Sequence, residues 1–184
     1  GECLRGAIDR ADVDYIARHA CGGPGACPEM GTANTMGSVT EALGMSFPGN
    51  TALCADDPAL LRWAKDVGQR AVELVRKDVR PSDIMTEEAF HNAMRLVLAI
   101  GGSTNAVIHM PAIARELDID LPLDLWDELS RETPFICRIR PNHPTHTMVD
   151  LDRAGGIPAV LNAMGPLLDL EQPSVTGKSL GENT

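Results

Sequence analysis

The stretch Cys21–Met36, reading CGGPGACPEMGTANTM, constrains this chain more than any other. Two cysteines, four glycines and two prolines in sixteen residues exclude a regular helix or strand until the run Thr32-Ala33-Asn34-Thr35. Proline lacks the backbone N–H that a helix or ladder needs, and glycine admits conformations that other residues avoid. The hydroxyls and amide of that run are suited to capping a helix expected over Thr35–Met45. A turn held against a helix N-terminus favours negative charge, so it suits a thiolate or a bound anion. The residues alone leave two readings open. Either Cys21 or Cys27 ligates a metal or an iron–sulfur centre, or the loop carries a buried cysteine in a tight turn.

The rest of the chain reads as a series of helices. Apolar spacing predicts one over Leu4–Ala20, with Asp12 as its cap. Asp56-Asp57-Pro58 opens the clearest, in which Leu60, Leu61, Ala64, Val67, Ala71, Leu74 and Val75 recur near the 3.6 period as far as Lys77. Thr86 caps the next, Glu87 and Glu88 fill its positive first turn, and Met85 and Phe90 stand where a hydrophobic staple places them. Gly101-Gly102-Ser103-Thr104-Asn105 then leads into a helix over Ala106–Leu117, on which His109 reads as a core residue. That turn either offers N–H groups and hydroxyls to a ligand or simply joins two helices.

Later segments are more mixed. A short helix is expected over Asp124–Leu129. Ile136–Arg140 alternates apolar and basic side chains and predicts a strand with one face inward. His143 and His146 lie three apart in a proline-flanked loop, a spacing that binds metal only on a firmer scaffold. Another helix opens at Asp150, breaks at Gly155-Gly156 and resumes. Residues 171–184 are polar and poor in apolar side chains, as a linker would be.

Charge and cysteine usage exclude several classes. Sixteen basic against twenty-six acidic side chains give a formal charge of −10, which argues against a nucleic-acid partner. Five cysteines at irregular spacing do not read as a secreted disulfide framework and suit a reducing compartment. No apolar run is long enough to cross a bilayer, and no basic segment followed by an apolar one opens the chain.

The order of residues adds a resemblance. Gly25–Met36 followed by Glu41–Gly49, then Gly101–Val107, Asp152–Val160 and Thr176–Asn183, is similar to the landmarks of the iron–sulfur dehydratases, which include dihydroxy-acid, phosphogluconate and sugar-acid dehydratases. The resemblance implies a layered α/β/α domain, of which residues 1–170 form the latter part, with 171–184 a linker toward a C-terminal β-barrel. It implies a 2,3-dihydroxy carboxylate, or a sugar acid, as substrate and a 2-oxo acid as product. It also implies an iron–sulfur cluster, 2Fe-2S or 4Fe-4S, with Cys27 as one of three cysteine ligands, and a magnesium ion whose ligands lie elsewhere.

Thr32, Asn34, Thr35, Ser103, Thr104 and Asn105 fall on the motifs as supports of the active site. The family's Cys-Asp-Lys motif and proposed base serine are absent from these 184 residues. The chain by itself is therefore expected to lack complete catalytic machinery, and a non-catalytic binding module is the competing class. Gly23-Pro24-Gly25-Ala26-Cys27 ahead of the Thr32–Met36 run resembles dihydroxy-acid dehydratase of branched-chain amino-acid synthesis, whereas Met30-Gly31-Thr32 resembles the sugar-acid enzymes. A cytoplasmic or organellar homo-oligomer is the expected setting.

Overall fold

The computed structural model describes residues 1–21 and 23–184, and Gly22 of the cysteine loop lies outside the described residues. Among the described residues eight α-helices follow one another: α1 (Arg10–His19), α2 (Thr32–Ala42), α3 (Ala59–Arg76), α4 (Glu87–Ala99), α5 (Ala106–Arg115), α6 (Leu123–Glu132), α7 (Met148–Arg153) and α8 (Gly156–Ala163). α4 is the hub. Its Phe90, Ala93, Met94, Leu96 and Val97 are buried, and α2, α5, α6 and α8 pack around it. The start of α4 follows the expected chemistry, with Thr86 Oγ1 accepting from Ala89 N at 3.1 Å.

Helix ends elsewhere depart from the periodicity. α1 begins at Arg10 because Asp9 and Asp12 form a reciprocal capping box, so Asp12 lies inside the helix instead of capping it. α2 begins at Thr32, three residues before the expected Thr35, since Gly31 in an extended conformation occupies its N-cap. α7 begins at Met148 through a box between Thr147 and Asp150.

The expected layered α/β/α arrangement is not found in this chain. Among the described residues the fold is helical, and β pairing is limited to one bridge between Pro173 and Ser179. The segment predicted as a strand, Ile136–Arg140, forms no ladder. Ile136 N and Cys137 N both donate to Ala99 O at the end of α4, while Arg140 N donates to His146 O within its own loop. A strand needs a neighbour offering alternate N–H and C=O groups, and none lies alongside. The alternation is spent on one inward residue, Ile139, whereas Ile136 and Arg138 are exposed.

Two further expectations change. α3 forms where the period placed it, yet none of its residues is buried, and Leu61 and Val75 are each 80% exposed. It is tied to the rest by an edge-to-face contact of Trp63 with Phe47 and by Arg70 Nε donating to Val175 O. Residues 171–184 are docked on the core: Leu180 and Ser174 are buried, Val175 N donates to Gly44 O at 2.7 Å, and Leu180 N to Gln172 O at 2.8 Å. Just before them, Asn92 of α4 clamps Asp169 through both its amide groups, at 2.8 and 3.0 Å. No helix is long and apolar enough to cross a membrane.

Candidate functional site

The cysteine loop enters α2 with Cys27 exposed and its sulfur beside the helix start. A Cβ placed on Gly31 would stand 3.9 Å from Cys27 Sγ. Asn34, one turn into α2, fixes the loop from below: its Nδ2 donates to Cys27 O at 2.8 Å and to Glu29 O at 2.6 Å. A buried amide thus ties the backbone that carries the thiol to the helix itself.

The glycine-rich turn between α4 and α5 meets the same helix end. Thr32 Oγ1 and Ser103 Oγ lie 3.0 Å apart, Asn105 Nδ2 donates to Thr32 Oγ1 at 2.8 Å, and Ser103 N donates to the fully buried Thr35 Oγ1 at 2.9 Å. Asn105 N also donates to Ser103 Oγ at 3.2 Å. Residues about seventy positions apart in sequence thereby form one hydrogen-bonded cluster. Thr104 is exposed and makes no side-chain hydrogen bond among the described residues. The close approach explains Gly102, whose added Cβ would lie 2.8 Å from Thr35 Cγ2 and 3.1 Å from Val97 Cγ1. Gly101 has the left-handed backbone, at φ +58°.

An open cavity of about 650 Å³ lies over the cysteine loop. Cys21 and Cys27 line it from one side, Thr51–Asp56 from another, and Met148 and Val149 complete the wall. Cys54 therefore lines the same cavity, half-buried, where the spacing alone makes it an inert core thiol. The loops touch closely, since a Cβ on Gly25 would fall 2.5 Å from Ala55 Cβ. Cys137 lies apart, and burial pushes its thiol pKa up. His109, expected in the core, is exposed on the outer face of α5.

Sequence reasoning missed Glu41. This carboxylate is 4% exposed on α2, and its oxygens accept from Gly49 N and Thr51 N, each at 2.7 Å. Burial pushes its pKa up, opposed by the Thr51 and Gly49 hydrogen bonds. Glu41 thus anchors the loop whose continuation, Thr51–Asp56, walls the cavity. The local period gave no signal, because Glu41 lies on the side of α2 opposite Val39 and Leu43, and it is buried by the loop through Gly49 and Thr51.

Among the described residues no three His, Cys, Asp or Glu side chains converge as a metal site. One thiol does fit the group that the motifs imply: Cys27 is exposed, opens on a roomy cavity and stands at a helix N-terminus.

The N-terminal model of the dihydroxy-acid/6-phosphogluconate dehydratases matches residues 1–183. The chain is 45% identical over 183 residues to a dihydroxy-acid dehydratase of Methanosarcina barkeri, covering 100% of this chain and 33% of that protein. It is 50% identical over 162 residues to one from Methanothrix thermoacetophila, covering 88% and 29%. A dihydroxy-acid dehydratase 1 of Nocardia farcinica is 45% identical over 185 residues, covering 100% and 32%. The chain spans about a third of the length of the curated relatives it matches.

Proposed function

The chain belongs to the dihydroxy-acid/6-phosphogluconate dehydratase family, and we propose that it forms part of a hydro-lyase converting a 2,3-dihydroxy carboxylate to a 2-oxo acid with loss of water. The substrate we infer is the dihydroxy acid of branched-chain amino-acid synthesis, in keeping with the dihydroxy-acid dehydratases to which the chain is similar. The carrying observation is Cys27, an exposed thiol at the head of α2, held by Asn34 and opening on the cavity.

In this reading residues 1–170 belong to the N-terminal dehydratase domain, and 171–184 lead toward a β-barrel. A layered α/β/α arrangement would take its strands from segments beyond this chain. The enzyme would work as a homo-oligomer in a reducing compartment such as the cytoplasm.

An iron–sulfur cluster with Cys27 as one thiolate ligand would supply a Lewis acid toward the departing C3 hydroxyl, and a magnesium ion would steady charge on the carboxylate side. This chain's own residues prepare that site. Cys27 stands beside the N-terminus of α2, and Asn34 keeps the backbone on either side of Pro28 in place. The cluster of Thr32, Thr35, Ser103 and Asn105 locks the α4–α5 turn against the same helix end that the cysteine loop enters.

The test is substitution in the full-length enzyme. Cys27→Ser should abolish dehydration, because a hydroxyl stays protonated near neutral pH and binds iron poorly, while Cys54→Ser and Cys137→Ser keep most activity. Iron and sulfide content measured beside turnover checks the assignment. Equal loss in all three variants, with folding intact, would contradict it.

A further inference from the structure

The loop after the extended segment carries Arg138, Arg140, His143 and His146 within nine residues, a basic cluster in a chain of formal charge −10. Its backbone is joined to the cysteine loop at two points: Met30 N donates to Arg140 O at 2.7 Å, and Met148 N to Pro28 O at 3.0 Å. It also reaches the α4–α5 turn, where Asn142 Nδ2 donates to Gly101 O at 2.9 Å. The basic loop therefore borders both halves of the candidate site, and its continuation, Met148 and Val149, lines the cavity.

The charges on this loop are unspent. Among the described residues neither Arg138 nor Arg140 pairs with a carboxylate. Arg140 Nε donates to Pro144 O at 3.0 Å, which orients the guanidinium and leaves its two terminal nitrogens without a protein acceptor. Arg138 sits 5.5 Å from the Phe135 ring centroid, a contact that steadies the side chain without neutralising it. His143 and His146 stack at 3.9 Å, and His143 Nδ1 accepts from His146 N at 3.1 Å, so the ring's proton is on Nε2 as a free donor. The neighbouring acid, Asp150, is occupied by Thr147 N and Thr147 Oγ1.

We propose that Arg138, Arg140 and His143 form an outer capture subsite that draws the carboxylate of a small hydroxy acid toward the cysteine loop. The substrate class rests on the dehydratase reading, whereas the place of the subsite rests on the contacts above. Positive side chains on a negative protein concentrate an anionic substrate beside the loop to which they are joined, with a reach of about 8 Å at physiological salt. Planar guanidinium groups suit a carboxylate in particular.

The test uses glycerate, the smallest 2,3-dihydroxy carboxylate, titrated into this chain at low salt and followed by NMR, with glycerol as the neutral control. Saturable shifts confined to residues 138–148 are expected, absent with glycerol, and weakened about tenfold by Arg140→Gln, as loss of one charge-assisted hydrogen bond implies. Arg140→Lys should retain most of the binding. If Arg140→Gln fails to fold, Arg138→Gln, which removes an exposed side chain with no hydrogen bond, provides the same comparison. In the full-length enzyme Arg140→Gln should lower kcat/KM and its salt dependence with kcat unchanged. Shifts centred elsewhere, an equal response to glycerol, or tighter binding of inorganic phosphate than of glycerate would overturn the proposal, as would an equal fall in kcat. Glycerate binding in a full-length protein that dehydrates no dihydroxy acid would instead overturn the functional reading and leave the subsite standing.

Discussion

At the scale of single residues, two side chains on α2 hold the walls of the cavity. Asn34 uses both amide hydrogens on Cys27 O and Glu29 O. Asn34→Ala should cost about 1 kcal/mol for each of the two part-buried hydrogen bonds it removes. Asn34→Asp should cost more, since it turns a carboxylate toward two carbonyl oxygens; denaturant melts of both variants check the order. Glu41 sets a pH dependence whose sign follows from burial. Its folded pKa lies above the ordinary 4.5, so between those values the folded state keeps a proton that the unfolded chain has released. Stability from this group is therefore fullest below 4.5, falls as pH rises toward the raised value, and then levels. Melts across that range should show the fall, and Glu41→Gln should flatten it. An unchanged slope in that variant would assign it to another group. Neither role was visible in periodicity, which reports how often a residue faces inward and not which carbonyl or N–H it meets there.

At the scale of elements, the junction of α2 with the α4–α5 turn is the most exacting contact. Gly102 has no room for a side chain beside Thr35 and Val97, and overfilling a packed site costs roughly 1–3 kcal/mol. Ser103→Ala leaves the Ser103 N to Thr35 Oγ1 bond intact and loses only the hydroxyl contacts, so it should cost at most about 1 kcal/mol. Gly102→Val is thus expected to harm folding more than Ser103→Ala harms turnover, as paired melting and activity measurements on the full-length enzyme would show. A folded Gly102→Val protein beside an inactive Ser103→Ala protein would move the hydroxyl into contact with substrate. The motif Gly101–Asn105 marked this turn in the sequence, with two readings open; the distances to Thr32 and Thr35 favour bracing. The element misread was Ile136–Arg140. Alternation is a statement about side chains, while a strand is defined by the backbone partner, and here both N–H groups go to the end of a helix.

At the scale of the whole molecule, burial is uneven. α4 carries the core, whereas α3 presents an amphipathic face that nothing among the described residues buries. Phe90→Ala should therefore cost about 3–5 kcal/mol, whereas Leu61→Gln or Val75→Gln should stay within about 0.5 kcal/mol in this chain. Chemical denaturation of the three variants checks the contrast, and amide exchange should be slower in α4 than in α3. The sequence by itself determined the helices, the cap at Thr86, the cysteine turn and the order of motifs that marks the family, because each depends on neighbours a few positions away. Tertiary structure alone decided that Cys54 shares a cavity with Cys27, that Glu41 anchors the loop walling it, that Thr32 meets Ser103, and that α3 lies uncovered. These are contacts between distant segments, and the local period records only that a face is apolar, never what it will meet.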